Sequence, residues 1–188
     1  MQRKCRIRTN QHLLKMPPQK PTKGKLLIAE PTLGDPNFER SVVFVCEHNE
    51  RGTFGLVFNQ STNLFLNDVL QEPVANSLPL YLGGPVEQNT LHFLHRLPFI
   101  EDSIPVGDNL FWSGDFEQIV SILNVGKITE QDIRFFIGYS GWSAGQLEEE
   151  IQKNAWIISE ADAHFIFDTP TSQFWRAVLR RMGGEYRV

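Results

Sequence analysis

Residues 133–145 read IRFFIGYSGWSAG, an apolar, strand-like run ending in Gly-x-Ser-x-Gly, and QLEEEIQKN follows with the look of a helix. Strand, Gly-x-Ser-x-Gly and helix in that order spell the nucleophile elbow of an α/β-hydrolase. Read so, the segment demands a parallel sheet alternating with helices and makes Ser143 a nucleophile. Read as a strand ending in a glycine bend, it fits an antiparallel sheet and gives Ser143 no chemistry. The partners decide. In the hydrolase fold an acid and then a histidine follow the serine along the chain. Only 45 residues follow Ser143, with one histidine, His164, two positions after Asp162. AHFIF reads as a strand, which places both on or beside one element, too close together to arrive from separate loops. Ser143 is not expected to act as a nucleophile.

Outward from this stretch, strands come in runs rather than in alternation with helices. GKLLIAEP reads as a first strand, and the polar TLGDPNFE as a connection. Residues 41–47 and 53–58 form a predicted hairpin across NERG. LFLNDVLQE suggests a short helix, and PLYLGGPV, TLHFLHRL and DNLFWSG short strands broken by Gly and Pro. DFEQIVSILNVG puts Phe116, Ile119, Val120 and Leu123 on one helical face, with Gly126 at the C-terminal cap. AWIIS is a late strand. TPTSQFWRAVLRRMGG is the clearest helix, with Thr169 as cap and Phe174, Trp175, Val178, Leu179 and Met182 inward. The pattern predicts an α+β fold with a largely antiparallel, bent sheet and three to four helices.

The 188 residues suit one domain, expected over 23–188 behind a flexible basic tail, 1–22. Residues 1–25 hold eight basic side chains and no acid, so the rest sets ten basic groups against all 22 acids. An acidic body repels a phosphate backbone, and no sequence-specific nucleic-acid binding is expected. The tail has the composition of a solvated arm or, though short, of a transit peptide, and leaves Met1 and Met16 both open as starts. No apolar run approaches the ~20 residues that span a bilayer. The two cysteines, Cys5 and Cys46, form no CxxC, which fits a reducing compartment. A cytoplasmic monomer without membrane, metal or cofactor is expected.

Among reactive side chains, strand alternation in VFVCEH puts Cys46 and His48 on one face and Glu47 on the other. A neighbouring imidazolium would lower the thiol pKa; the competing reading is a buried small hydrophobe. His92 and His95 fall on opposite strand faces, which argues against a shared metal. Glu148–Glu150 read as a solvated helix face placed well against the helix dipole.

Eight ordered blocks carry a resemblance. They are DPNFERSVV (35–43), CEH (46–48), GTFGLVFN (52–59), LGGPV (82–86), GYSGW (138–142), GQLEEE (145–150), NAW (154–156) and FWR (174–176). The chain resembles the AlgH/YqgE family of bacterial proteins, in order from about Lys23 to Tyr186. The resemblance implies an α+β fold with a branched sheet folded into a pseudo-barrel. It implies no particular reaction; members are often labelled transcriptional regulators. The family pattern Gly-Tyr-x-x-Trp-x-x-Gly-Gln-Leu-Glu maps onto Gly138, Tyr139, Trp142, Gly145, Gln146, Leu147 and Glu148, so Ser143 falls on an unspecified position.

The leading expectation is a non-enzymatic binding or regulatory protein that takes a partner protein or small molecule. Its site is expected where the Gly83–Gly84–Pro85 turn meets the bend carrying Tyr139 and Trp142, with Gln146 and Glu148 opening the next helix. Buried aromatics and glycines that merely turn the chain are the competing reading. A thiol enzyme or redox sensor built on Cys46 and His48, and a DNA-binding regulator, are the alternatives. For the last, Arg176, Arg180 and Arg181 make a thin footprint.

Overall fold

The computed structural model describes residues 20–183. Most of the basic tail, with Cys5 and Met16, and Tyr186 near the other end lie outside the described residues. KLLIA and VVFVCEHN are apolar at successive positions through Leu26–Ala29 and Val42–Cys46, because the sheet is covered on both faces there. They form β1 (Lys25–Ala29) and β2 (Val42–Asn49), and the turn NERG returns the chain as β3 (Gly52–Val57). β4 (Ser61–Phe65) ends in a single 3-10 turn, Leu66–Asp68, where the sequence suggests a longer helix. β5 (Pro79–Leu82), β6 (Val86–His95), β7 (Ile104–Gly107) and β8 (Leu110–Trp112) follow. β7, with its internal Pro105, has no counterpart in the sequence reading.

Asp115 caps α1 (Phe116–Asn124), accepting from the backbone N–H of Glu117 and Gln118. β9 (Ile133–Ser143) runs through the Gly-Trp-Ser stretch before α2 (Gln146–Gln152), and β10 (Trp156–Glu160) is the last strand. AHFIF is a helix, α3 (Ala163–Asp168), not a strand. Its start is fixed by the Asp162 carboxylate, which accepts from His164 N at 2.9 Å and Phe165 N at 3.2 Å. α4 (Thr171–Met182) begins after Pro170; Thr169 makes no cap, and no side chain caps the helix. Phe174, Trp175, Val178 and Leu179 are inward, but Met182 is exposed.

The sheet order is β10-β1-β2-β3-β9-β6-β8-β7, with β5 also joined to β9 and β4 to β5. All pairings are antiparallel except β5 with β9. β9 is the branch point. Its first half lies between β5 and β6, and its second half pairs with β3. The strand changes partners at Gly138, whose φ of +67° lies in the left-handed region. The sheet curls into a half-barrel around a core that includes Phe44, Phe58, Phe136 and Phe174, closed by α3 and α4. A second core packs under α1 and a third under α2. No helix among the described residues is long and apolar enough to cross a membrane.

Candidate functional site

Past Gly138 the two faces of β9 differ. Tyr139 and Trp142 are an odd number of positions apart and therefore point to opposite faces. They do not form two walls of one site, as the sequence reading expects. Trp142 packs in the core under α2, only 5% exposed. Tyr139 lies on the other face, half-buried against Phe54 and His92, with the Trp112 ring centroid 4.8 Å from that of Phe54.

The Trp142 face is a closed aromatic and polar cluster. Phe38 stacks on Trp142 at 6.0 Å between ring centroids and meets Trp156 edge-on at 5.3 Å. Both indole N–H groups donate to one Glu150 carboxylate oxygen, Trp142 at 2.9 Å and Trp156 at 2.7 Å. The other Glu150 oxygen accepts from Gln146 Nε2 at 3.0 Å, while Gln146 Oε1 accepts from Ser143 N. Glu150 is thus no member of a solvated helix face. It satisfies two buried donors and ties α2 to the sheet. The spacing of Trp142, Gln146, Glu150 and Trp156 shows this only once α2 is known to fold back over β9.

Ser143 is the last residue of β9, exposed, and among the described residues no histidine bonds its hydroxyl. The strand–turn–helix context of an elbow is present, but the left-handed residue is Gly145, not Ser143. His164 opens α3 beside its cap and is exposed.

Gly83 and Gly84 meet β9 at Gly138–Ser140 rather than at Gly145. A Cβ on Gly84, whose φ is +152°, would overlap the Tyr139 backbone. The Gly83 carbonyl accepts from Val57 N at 2.8 Å and Ser140 Oγ at 3.1 Å, and Gly83 N donates to Ile137 O. The two glycines knit β3, β5 and β9 together. Pro85 is exposed beyond them.

Cys46 and His48 do not share a face. The ladder slips between Val45 and Glu47, a bulge at Cys46 that reverses the alternation beyond it. Cys46 points into the core with Phe44, and burial pushes its thiol well above the ordinary range. His48 turns to the α2 side, where Nδ1 meets Thr53 Oγ1 at 2.8 Å and Nε2 approaches Glu148 Oε1 at 3.4 Å. Hydroxyl, imidazole and carboxylate in series resemble a hydrolytic triad. Thr53, however, is buried within the ladder, so its hydroxyl orients the imidazole and is closed to a substrate.

The open face is the better candidate. Phe54 and Tyr139 stack at 4.6 Å with an interplanar angle of 24°. They lie in an open cleft of about 570 Å³ with the exposed Glu47 and Asn49 at the end of β2 and Arg51 in the turn that follows. His92 meets Phe54 edge-on at 5.2 Å, and burial holds its imidazole below the ordinary value, partly offset by Glu87. Neutral imidazole and aromatic faces can hold a planar or apolar group, while the turn supplies charges of both signs. Phe54, Arg51 and Glu47 are absent from the sequence-based site. The available signal was Phe54 itself, an aromatic between Thr53 and Gly55 that the hairpin sets opposite Glu47 and that β9 meets with Gly141.

Comparison with known proteins places this geometry. An AlgH-like family model matches residues 26–187. A UPF0301 protein of Cytophaga hutchinsonii is 47% identical over 169 residues, 89% of this chain and 93% of that protein. One from Bacteroides thetaiotaomicron is 38% identical, over 89% of this chain and 86% of that one. The solution structure of the AlgH protein from Pseudomonas aeruginosa superposes with a TM-score of 0.73 at 34% identity, covering 90% of this chain and 94% of that chain. A Corynebacterium diphtheriae crystal structure shares the fold at a TM-score of 0.73 and 24% identity, covering 91% and 92% of the two chains.

Proposed function

We propose that this chain, which belongs to the AlgH-like family, works by binding, and that the Phe54–Tyr139 cleft receives a planar or apolar group of a partner or small ligand. One observation carries the reading: two large rings stay stacked and half-buried in an open cleft, whereas Phe44, Phe135, Phe136 and Trp142 of the same sheet are buried. Contiguous exposed aromatic surface beside polar groups is the usual composition of a recognition site. The Cys46 alternative is disfavoured, because its thiol is buried, raised in pKa and separated from His48 by the bulge. Sequence-specific DNA recognition is disfavoured by the excess of acids outside the first 25 residues.

The test is a protein-observed NMR titration with a panel of planar fragments such as indole, adenine and benzoate. Hits should perturb Phe54 and Tyr139 and disappear in Tyr139→Ala while the variant remains folded. A panel that binds nowhere on the protein, or equally well to Tyr139→Ala, defeats the reading.

A further inference from the structure

On the opposite half of β9, Arg134 is 5% exposed, yet only Nη2 has an acceptor, Phe167 O at 3.2 Å. Nε and Nη1 have no hydrogen-bond partner among the described residues. The guanidinium lies over the Phe58 ring at 4.5 Å, with the Tyr81 and Phe167 rings at 5.5 and 5.7 Å. Burial lowers its pKa, while Tyr81, Glu130 and Asp168 act in the opposite sense. A buried cation with unmade hydrogen bonds is costly and calls for a reason.

Arg134 lines a cleft of about 280 Å³ at the start of α4, shared with Tyr81, Glu130, Asp168, Thr171 and Ser172. The α4 N-terminus has no side-chain cap, so its first amides and the positive end of the helix dipole face this region. Both signs are present. Asp168 is engaged by Arg96 at 3.5 Å and His164 at 3.5 Å. Glu130 accepts from the Tyr81 hydroxyl at 2.7 Å through one oxygen, and burial with that contact pushes the phenol up to about 12. A simple anion entering here meets two carboxylates, and a simple cation meets Arg134. A molecule carrying both charges a few ångströms apart avoids both penalties.

We propose that this cleft binds a small zwitterion of the α-amino acid class, its carboxylate directed at Arg134 and the first amides of α4 and its ammonium at Glu130. Nε and Nη1 are closed to solvent, so the guanidinium shifts towards the opening as the ligand enters, exchanging ring contact for charge-assisted hydrogen bonds. The site is separate from the Phe54–Tyr139 cleft and stands or falls independently of it.

The experiment is an NMR titration of the ¹⁵N-labelled full chain with L-alanine and L-serine, alongside acetate, methylammonium and inorganic phosphate. The amino acids should give saturable shifts at Thr171 N, Ser172 N and Arg134 Nε. Acetate and methylammonium should each bind about tenfold or more weakly, a factor worth ~1.4 kcal/mol. Glu130→Gln should weaken L-alanine by a similar factor and narrow its lead over acetate. Arg134→Met, a near-isosteric apolar replacement, should abolish the shifts, and if it fails to fold the wild-type titration still decides. The proposal is overturned if no amino acid gives saturable shifts at these groups. It is equally overturned if acetate or phosphate binds as tightly as L-alanine, which would make this a plain anion site.

Discussion

Two aromatic groups sit back to back on the sheet where β3 pairs with β9. Under α2, Phe38, Trp142 and Trp156 are closed in, and the two indole donors share one carboxylate. Across the sheet, Phe54, Tyr139, His92 and Trp112 form a second cluster, whose stacked Phe54 and Tyr139 rings stay half-buried at an open cleft. The difference is polar completion. Where every buried donor has an acceptor and a helix is tied down on top, the aromatics specify the fold. Where stacked rings remain half-buried beside exposed charges, some aromatic surface is left uncovered.

The largest effect should separate the two groups. Trp142→Ala opens a cavity and strands Glu150, and should cost about 3–5 kcal/mol in urea unfolding. Tyr139→Ala removes a half-exposed ring and should cost about 1–2 kcal/mol. Equal losses would mean that Tyr139 is core and the comparison false. Next, Glu150→Leu leaves two indole N–H groups without acceptors and should destabilise by about 2–4 kcal/mol. Glu150→Gln keeps an acceptor oxygen and should lose about half as much; identical losses would show that packing, not hydrogen bonding, closes that face.

A smaller effect probes the depth beneath the open cluster. Burial raises the Cys46 thiol, so folding favours its protonated form. The associated stability is full below the unfolded thiol value of about 8.5 and is lost as pH rises from there towards the folded value. Cys46→Ala should flatten that alkaline decline, and native Cys46 should alkylate slowly at neutral pH. Rapid labelling would place solvent where the structure places core. Ser143→Ala should change stability by less than about 0.5 kcal/mol, and a serine-directed fluorophosphonate should leave Ser143 unmodified.

How much was legible in the sequence follows from which forces are local. Eight of the ten strands were readable, all but β4 and β7, because alternating or continuous apolar runs bounded by Gly and Pro are local signals. AHFIF was misread because one Asp162 carboxylate, bonding two amides, outweighs the β-propensity of its aromatics. The Cys46–His48 pairing failed on a single-residue bulge, which strand periodicity cannot show. In the site, the Gly83–Pro85 turn was expected against the bend carrying Tyr139 and Trp142. Gly84 lies against the Tyr139 backbone, but the odd spacing of Tyr139 and Trp142 sets their side chains on opposite faces. Phe54 joins Tyr139, and Glu150 joins the two indoles, only through pairing between distant segments.

The branched position of β9 also governs when the molecule can exist. As the chain is synthesised from its N-terminus, β1, β2 and β3 can form a meander early, with both outer edges bare. β3 finds its other neighbour only when residues 140–143 emerge, and β1 only when Trp156–Glu160 follow. The Lys25–Glu160 pairing closes a loop of 135 residues, a separation typical of slowly folding β topologies. For most of its birth on the ribosome this protein therefore carries apolar strand edges in search of partners, the condition under which nascent chains aggregate or recruit chaperones.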